Sequence, residues 1–81
     1  MPDECRPPDG TPDGAVCVLR EPRFRDNTGA VMWIPGLFVW HRNWFGARCW
    51  YGVYPQSDAH SISSMTRAGW RFHSIAEVPH D

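Results

Sequence analysis

Residues 30–54 read AVMWIPGLFVWHRNWFGARCWYGVY, and this stretch decides the fold. It is an almost unbroken series of β-branched and aromatic residues, which are the residue types enriched in β-strands. Two short turn signals interrupt it, Pro35-Gly36 and the segment 43–46 (NWFG). We therefore expect three strands in this stretch, at 30–34, 37–42 and 47–54.

Further strands are expected on both sides of this stretch. Residues 15–20 (AVCVLR) form a β-branched run, and residues 69–75 (GWRFHSI) alternate apolar and polar side chains. The predicted fold is all-β, or mainly β with one short helix, as a small antiparallel meander curled into an SH3-like, partly open barrel. Segment 56–68 is poor in apolar residues, so a long loop and a helical turn capped by Ser57 or Ser63 both fit it. An α+β fold with a helix at 57–67 packed on the sheet is the alternative.

The chain of 81 residues is short enough for one domain only. Residues 1–14 (MPDECRPPDGTPDG) hold four prolines and two Asp-Gly steps, and they offer little to bury. We expect them to form a flexible arm, disordered or loosely laid against a single β domain at 15–81.

Strand register can be predicted from the turns. A four-residue loop at 43–46 would place Arg42 opposite Ala47 and Trp40 opposite Cys49. Alternation along the strands then makes both faces of the sheet apolar. One face has to be covered by the segment 55–68, by the arm, by a second copy of the chain or by a partner.

No catalytic, cofactor or metal-binding motif stands out, so we expect a non-enzymatic protein without cofactor or metal. Cys5, Cys17 and Cys49 are odd in number and irregularly spaced, which favours reduced thiols over disulfides. A reactive pair of Cys49 with His41 or His73 is a weak candidate, because a mid-strand cysteine among aromatic rings is expected to be inert.

The charge pattern gives weak guidance about the partner. The net charge is −1 and every basic residue is an arginine, which reflects either codon usage or planar recognition by guanidinium groups. Arginines interleaved with aromatic residues are typical of grooves that bind single-stranded nucleic acid, although the net charge opposes that function. The chain has no segment that could span a bilayer and no signal-peptide pattern, so a cytoplasmic location is expected.

Aromatic and arginine side chains around the turn at 43–46 are the predicted binding site, because these residue types dominate the energy of protein interfaces. The candidates are Trp44, Phe45, Arg42, Arg48, Trp50 and Tyr54. We expect Arg42 and Arg48 to flank the turn on opposite faces. Alternatively, Trp44 folds back over Phe24 or Arg25 and closes one end of a barrel.

The function expected from this surface is protein binding, through contact with another protein or a second copy in a homodimer. A small β protein without chemistry of its own is the type of product that phages and mobile elements use to inhibit a host protein. A small β barrel that binds single-stranded nucleic acid is the alternative function.

Overall fold

The computed structural model describes residues 5–25, 27–54 and 56–79 and shows five antiparallel strands in one open sheet, with one short helix. The mainly β fold predicted from the sequence is therefore confirmed. The elements are β1 (Ala15–Arg25), β2 (Val31–Arg42), β3 (Arg48–Tyr54), β4 (Gln56–His60), α1 (Ile62–Arg67) and β5 (Arg71–Glu77). The strand order is β4-β3-β2-β1-β5, so the connection through α1 carries the chain from one edge of the sheet to the other.

The predicted turn at Pro35-Gly36 is wrong, because β2 runs through it without interruption. Gly36 does not have the positive φ that a type II turn requires at its second central position. Pro35 pairs with Arg20 of β1 and lies beyond Leu37, the last residue of β2 that pairs with β3. At Pro35, β2 therefore has no paired strand on its β3 side among the described residues, and proline is tolerated at such edge positions.

The hairpin of β2 and β3 has a register one residue away from the predicted one. Trp40 lies opposite Trp50 and Arg42 lies opposite Arg48, because the connection contains five residues, 43–47. A slip of one residue moves every side chain of β3 to the other face of the sheet. Trp50 therefore joins Phe38 and Trp40 on one face, which we call the core face.

The core face holds the aromatic cluster of the protein. The ring centroids of Trp40 and Trp50 are 4.9 Å apart, and Trp70 meets Phe38 edge to face at 5.0 Å. The buried hydrophobic residues of this cluster come from the stretch before β1, from the sheet and from α1. They are Cys5, Ala15, Cys17, Leu19, Phe38, Trp40, Trp50, Ile62 and Met65.

The segment 56–68 contributes an edge strand and a helix, and both capping residues suggested by the sequence are wrong. Ser61 is the N-cap of α1, and its Oγ accepts a hydrogen bond of 3.0 Å from the Ser64 amide. Ile62 and Met65 are three residues apart, so both face the sheet and are buried. The helix thus covers the core face, as the alternative α+β fold required of its helix.

The first described residues are packed against the core. Cys5, Pro7 and Thr11 are buried, and the Cys5 carbonyl accepts a hydrogen bond of 3.1 Å from Trp50 Nε1. The expectation that this proline-rich stretch has little to bury is therefore wrong for these residues. The composition gave no signal of this contact, because it depends on the partner Trp50, which is 45 residues away.

Strands β1 and β2 extend beyond the rest of the sheet as a two-stranded hairpin. Pairing of β1 with β5 ends at Arg20, and pairing of β2 with β3 ends at Leu37, whereas β1 and β2 stay paired as far as Arg25 and Val31. This hairpin gives the molecule its elongated shape of 46 × 24 × 23 Å.

Candidate binding surface

The turn between β2 and β3 presents two aromatic rings to solvent. Trp44 is 93% exposed and Phe45 is 88% exposed. The alternative in which Trp44 folds back over the sheet is therefore wrong. Burial of a Trp or Phe side chain is worth about 1.5–3 kcal/mol or more, and neither ring gains it in the free protein. We call residues 43–47 the tip.

The tip is held in one conformation by hydrogen bonds. Asn43 Oδ1 accepts from the Phe45 amide at 2.8 Å and from the Ala47 amide at 3.1 Å. The Asn43 amide donates to the Ala47 carbonyl, and the Gly46 amide donates to the Asn43 carbonyl. Gly46 has φ of +84°, a conformation that glycine adopts without strain. The backbone under both rings is therefore ordered before any partner arrives, which lowers the ordering cost of binding.

Arg42 and Arg48 flank the tip, but they lie on the same face of the sheet. The prediction that they occupy opposite faces is wrong, because the shifted register makes them direct cross-strand partners. Both contact Asp13: Arg42 Nε is 3.0 Å from Oδ2 and Arg48 Nε is 3.1 Å from Oδ1. The hydrogen bond from Arg42, followed by the charge of Arg48, lowers the pKa of Asp13 below its ordinary value. An ion cluster thus lies at the base of the tip, and Asp13 partly neutralises the positive charge of Arg42 and Arg48.

Trp50 and Tyr54, the remaining two predicted binding residues, lie in different places. Trp50 is fully buried in the core, so it cannot contact a partner in the folded protein. Its assignment to the surface is wrong because the predicted register was off by one residue. The backbone of Tyr54 ends β3 opposite Leu37, and the side chain of Tyr54 lies outside the described part of the structure.

A second exposed aromatic surface was missed by the sequence analysis. It lies on the face of the sheet opposite the core, which we call the open face. Trp33 is 39% exposed there, and the Arg20 guanidinium lies 5.3 Å from the centroid of its ring. Beside them is a depression of about 310 Å³ lined by Val18, Pro35, Gly36 and Leu37. The alternation along β1 indicated that Val18 and Arg20 share a face. The turn assumed at Pro35-Gly36 placed Trp33 and Leu37 on separate strands, so their position beside Val18 and Arg20 was not predicted.

The nucleophilic and metal-ligating residues do not form a reactive centre among the described residues. Cys49 lies opposite His41 in the sheet but is only 3% exposed. Burial raises the pKa of Cys17 to about 11, so this thiol stays protonated at neutral pH. Within the ranges that the structure describes, no three His, Cys, Asp or Glu side chains are grouped to hold a metal ion. The described helix, with six residues, is also too short to cross a membrane.

The chain therefore combines a covered aromatic core, a rigid tip with two exposed rings, and an open face with a partly exposed tryptophan. Comparisons with protein-family models, curated proteins and solved structures found no match, so the assignment of function depends on this geometry alone.

Proposed function

We propose that the chain is a non-enzymatic binding module that inserts Trp44 and Phe45 of the tip into a pocket of another protein and inhibits that protein. The observation that supports this proposal is the combination of two rings about nine-tenths exposed with a backbone fixed by side-chain and main-chain hydrogen bonds. Exposed rings on a rigid turn lose little conformational entropy when a partner covers them.

The ion cluster behind the tip supports a mainly apolar contact. Arg42 and Arg48 already share the Asp13 carboxylate, so the partner does not need to supply an acidic residue to neutralise them. A pocket that accepts an indole and a phenyl ring, with a polar rim, fits this surface best.

The proposal is tested by measuring partner capture with variants of the tip. The immobilised chain, Trp44→Ala, Phe45→Ala and the control Met32→Ala are each exposed to an extract of the cells that make the protein. Met32 is a suitable control because it is 41% exposed and lies at the far end of β2. A partner retained by the chain and by Met32→Ala, but lost from both tip variants, is the expected result.

Binding of the captured protein is then measured by calorimetry. A central interface tryptophan contributes about 2 kcal/mol or more, so Trp44→Ala should weaken the affinity by about 30-fold or more. Equal affinity of Trp44→Ala, Phe45→Ala and the unmodified chain would refute the proposed site.

The alternative of single-stranded nucleic-acid binding is examined with the same variants and a dT oligonucleotide. Binding that weakens steeply with salt and is lost in Trp44→Ala would favour the nucleic-acid function over protein binding. We expect no such binding at physiological salt, because the net charge is −1 and the two arginines nearest the tip already form ion pairs with Asp13.

A further inference from the structure

The open face carries a continuous apolar strip that the described parts of the chain leave partly exposed. Val18 and Leu37 are cross-strand partners, and Arg20 and Pro35 are the next pair on the same face. Val18 and Leu37 are half-buried and Pro35 is exposed, so the depression between them is open to solvent. Its walls are apolar, and an aliphatic side chain of a ligand would fit a volume of about 310 Å³.

A cationic group lies beside this depression. The Arg20 guanidinium stacks on Trp33, and its Nε is buried without a hydrogen-bond partner among the described residues. A buried N–H without a partner is unfavourable, and an acceptor from a ligand that reaches it would remove that cost. The guanidinium thus lies over the ring with its Nε–H donor unused.

The neighbours of Arg20 do not supply the missing acceptor. Its cross-strand partners are Pro35 in β2 and Arg71 in β5. Glu21, the next residue along the chain, points to the other face and makes an ion pair of 2.9 Å with Arg23. Arg20 carries a positive charge with an unused donor, so a carboxylate is the ligand group that fits it best.

We propose that the open face binds an extended acidic segment of a partner protein, with a carboxylate on Arg20 and an aliphatic side chain in the depression. Alternate residues of an extended chain share a face and are about 6.6–6.8 Å apart. That spacing equals the distance along β1 from Arg20 to Val18, which are also alternate residues. The best ligand therefore has the acidic and the aliphatic residue separated by one residue.

The charge of the patch favours an acidic protein segment over a second copy of the chain and over nucleic acid. A symmetric pair of chains joined through this patch would place the same surface against itself, and the Arg20 and Arg71 positions would face their copies. Nucleic acid requires several phosphate contacts, whereas this patch offers apolar walls and the chain has a net charge of −1.

This site is separate from the tip. Leu37, the residue of the site nearest the tip, lies five residues before Arg42 on the same strand, which corresponds to about 17 Å at 3.3 Å per residue, and Arg42 lies on the core face. Both surfaces can therefore be occupied together, and the inference does not depend on the proposed function of the tip.

The test is a titration of the full chain, followed by NMR of the Arg20 Nε–H and Trp33 Nε1–H signals. The probe is the blocked peptide acetyl-Gly-Glu-Ser-Leu-Gly-amide. Matched controls replace Glu by Gln, or place Glu and Leu next to each other. We expect millimolar concentrations of the probe to shift both signals, and each control peptide to bind at least tenfold more weakly.

Variants of the chain locate the binding site. Arg20→Gln should lower the affinity for the probe at least tenfold, and Arg20→Lys should keep only part of the affinity. Trp44→Ala should bind the probe with the affinity of the unmodified chain. The amide spectrum of each variant shows whether it is folded, and Arg20→Lys retains the charge over Trp33 if Arg20→Gln is unfolded.

Four results would overturn the inference. The first is that neither signal shifts when the probe is in 10-fold excess over about 1 mM protein, and the second is that the Gln peptide binds with the same affinity as the probe. The third is that the same signals shift when the protein concentration alone is raised. The fourth is that a dT oligonucleotide binds this site more tightly than the probe does. The third result would assign the face to a second copy, and the fourth would assign it to nucleic acid.

Discussion

The tip and the aromatic core contain the same types of residue only a few positions apart, yet their environments are opposite. Trp40 and Trp50 are 3% and 0% exposed, whereas Trp44 between them is 93% exposed. The fold buries Trp40 and Trp50 beneath α1 and the stretch that contains Cys5, and it leaves the tip rings without any cover. Trp40 and Trp50 therefore contribute to the stability of the fold, whereas the ring of Trp44 contributes little to it and stays accessible from solvent.

The largest effect that sharpens this contrast is expected from replacing the core tryptophan. Trp50→Ala removes ring contacts with Trp40 and the hydrogen bond to the Cys5 carbonyl, and should destabilise the protein by about 3–5 kcal/mol. Trp44→Ala should change the free energy of unfolding by about 0.5 kcal/mol or less, since its ring is exposed. Urea denaturation of both variants gives the two values. Similar losses would show that the tip ring is packed in solution.

Two glycines provide a second test, because one is constrained by packing and the other by its backbone. A Cβ on Gly36 would lie 2.9 Å from Phe38 Cε2 and 3.1 Å from the Trp70 ring, so Gly36→Ala should cost about 1–3 kcal/mol. A Cβ on Gly46 would meet nothing within 4 Å, but the φ of +84° penalises alanine by about 1–2 kcal/mol.

Asparagine separates the two causes. It tolerates the left-handed conformation better than alanine, so Gly46→Asn should be less damaging than Gly46→Ala. Gly36→Asn should be more damaging than Gly36→Ala, because the larger side chain increases the clash with Phe38 and Trp70. Thermal unfolding of the four variants is the measurement. The same order of alanine and asparagine at both positions would contradict the assignment of different constraints.

The sequence predicted the mainly β fold correctly, but it predicted the pairing register of the strands incorrectly. Residue type determines which segments prefer strands, so β1 and β3 could be located from β-branched and aromatic runs and β5 from its alternation, whereas β2 was predicted as two strands. The register of β2 and β3 depends on Asn43, whose side chain closes a five-residue connection. Nothing in the composition distinguishes this connection from a four-residue turn, and the error of one residue exchanged the faces of β3.

Long-range contacts account for the other differences. The strand at Gln56–His60 is polar and is stabilised by pairing with β3, so no apolar pattern indicated it. Asp13 meets Arg42 and Arg48 only because the chain before β1 lies across that end of the sheet. The exposed rings of the tip were predictable from their place in a turn, whereas the stacking of Arg20 on Trp33 required the pairing of β1 with β2.

A smaller effect is expected from removing the acceptor that orders the tip. Asn43→Ala loses the side-chain bonds to the Phe45 and Ala47 amides, both of which water can replace, so the cost should be about 1 kcal/mol. Asn43→Asp keeps the acceptor and is the matched control. Amide exchange at Phe45 and Ala47 should accelerate in Asn43→Ala and not in Asn43→Asp, while exchange at Trp50 stays slow. Unchanged exchange in Asn43→Ala would mean that main-chain bonds alone hold the tip.

The smallest expected effect is a dependence of stability on pH that arises at Asp13. The hydrogen bond from Arg42 and the charges of Arg48, Arg42 and His41 lower the pKa of this carboxyl from the ordinary value of 3.8. A carboxyl whose pKa is lower in the folded state stabilises the protein above its unfolded pKa, and that contribution is lost as pH falls through the folded pKa. The melting temperature should therefore decline below about pH 4 through this group, and the decline should be shallower in Asp13→Asn.

The same variant should be less stable than the unmodified chain at pH 7, because Arg42 and Arg48 then face each other without the carboxylate. Asp13→Asn combined with Arg42→Gln relieves that repulsion and should recover part of the loss. Melting curves between pH 2.5 and pH 7 that run parallel for the unmodified chain and Asp13→Asn would show that the ion cluster at the tip does not contribute to stability in solution.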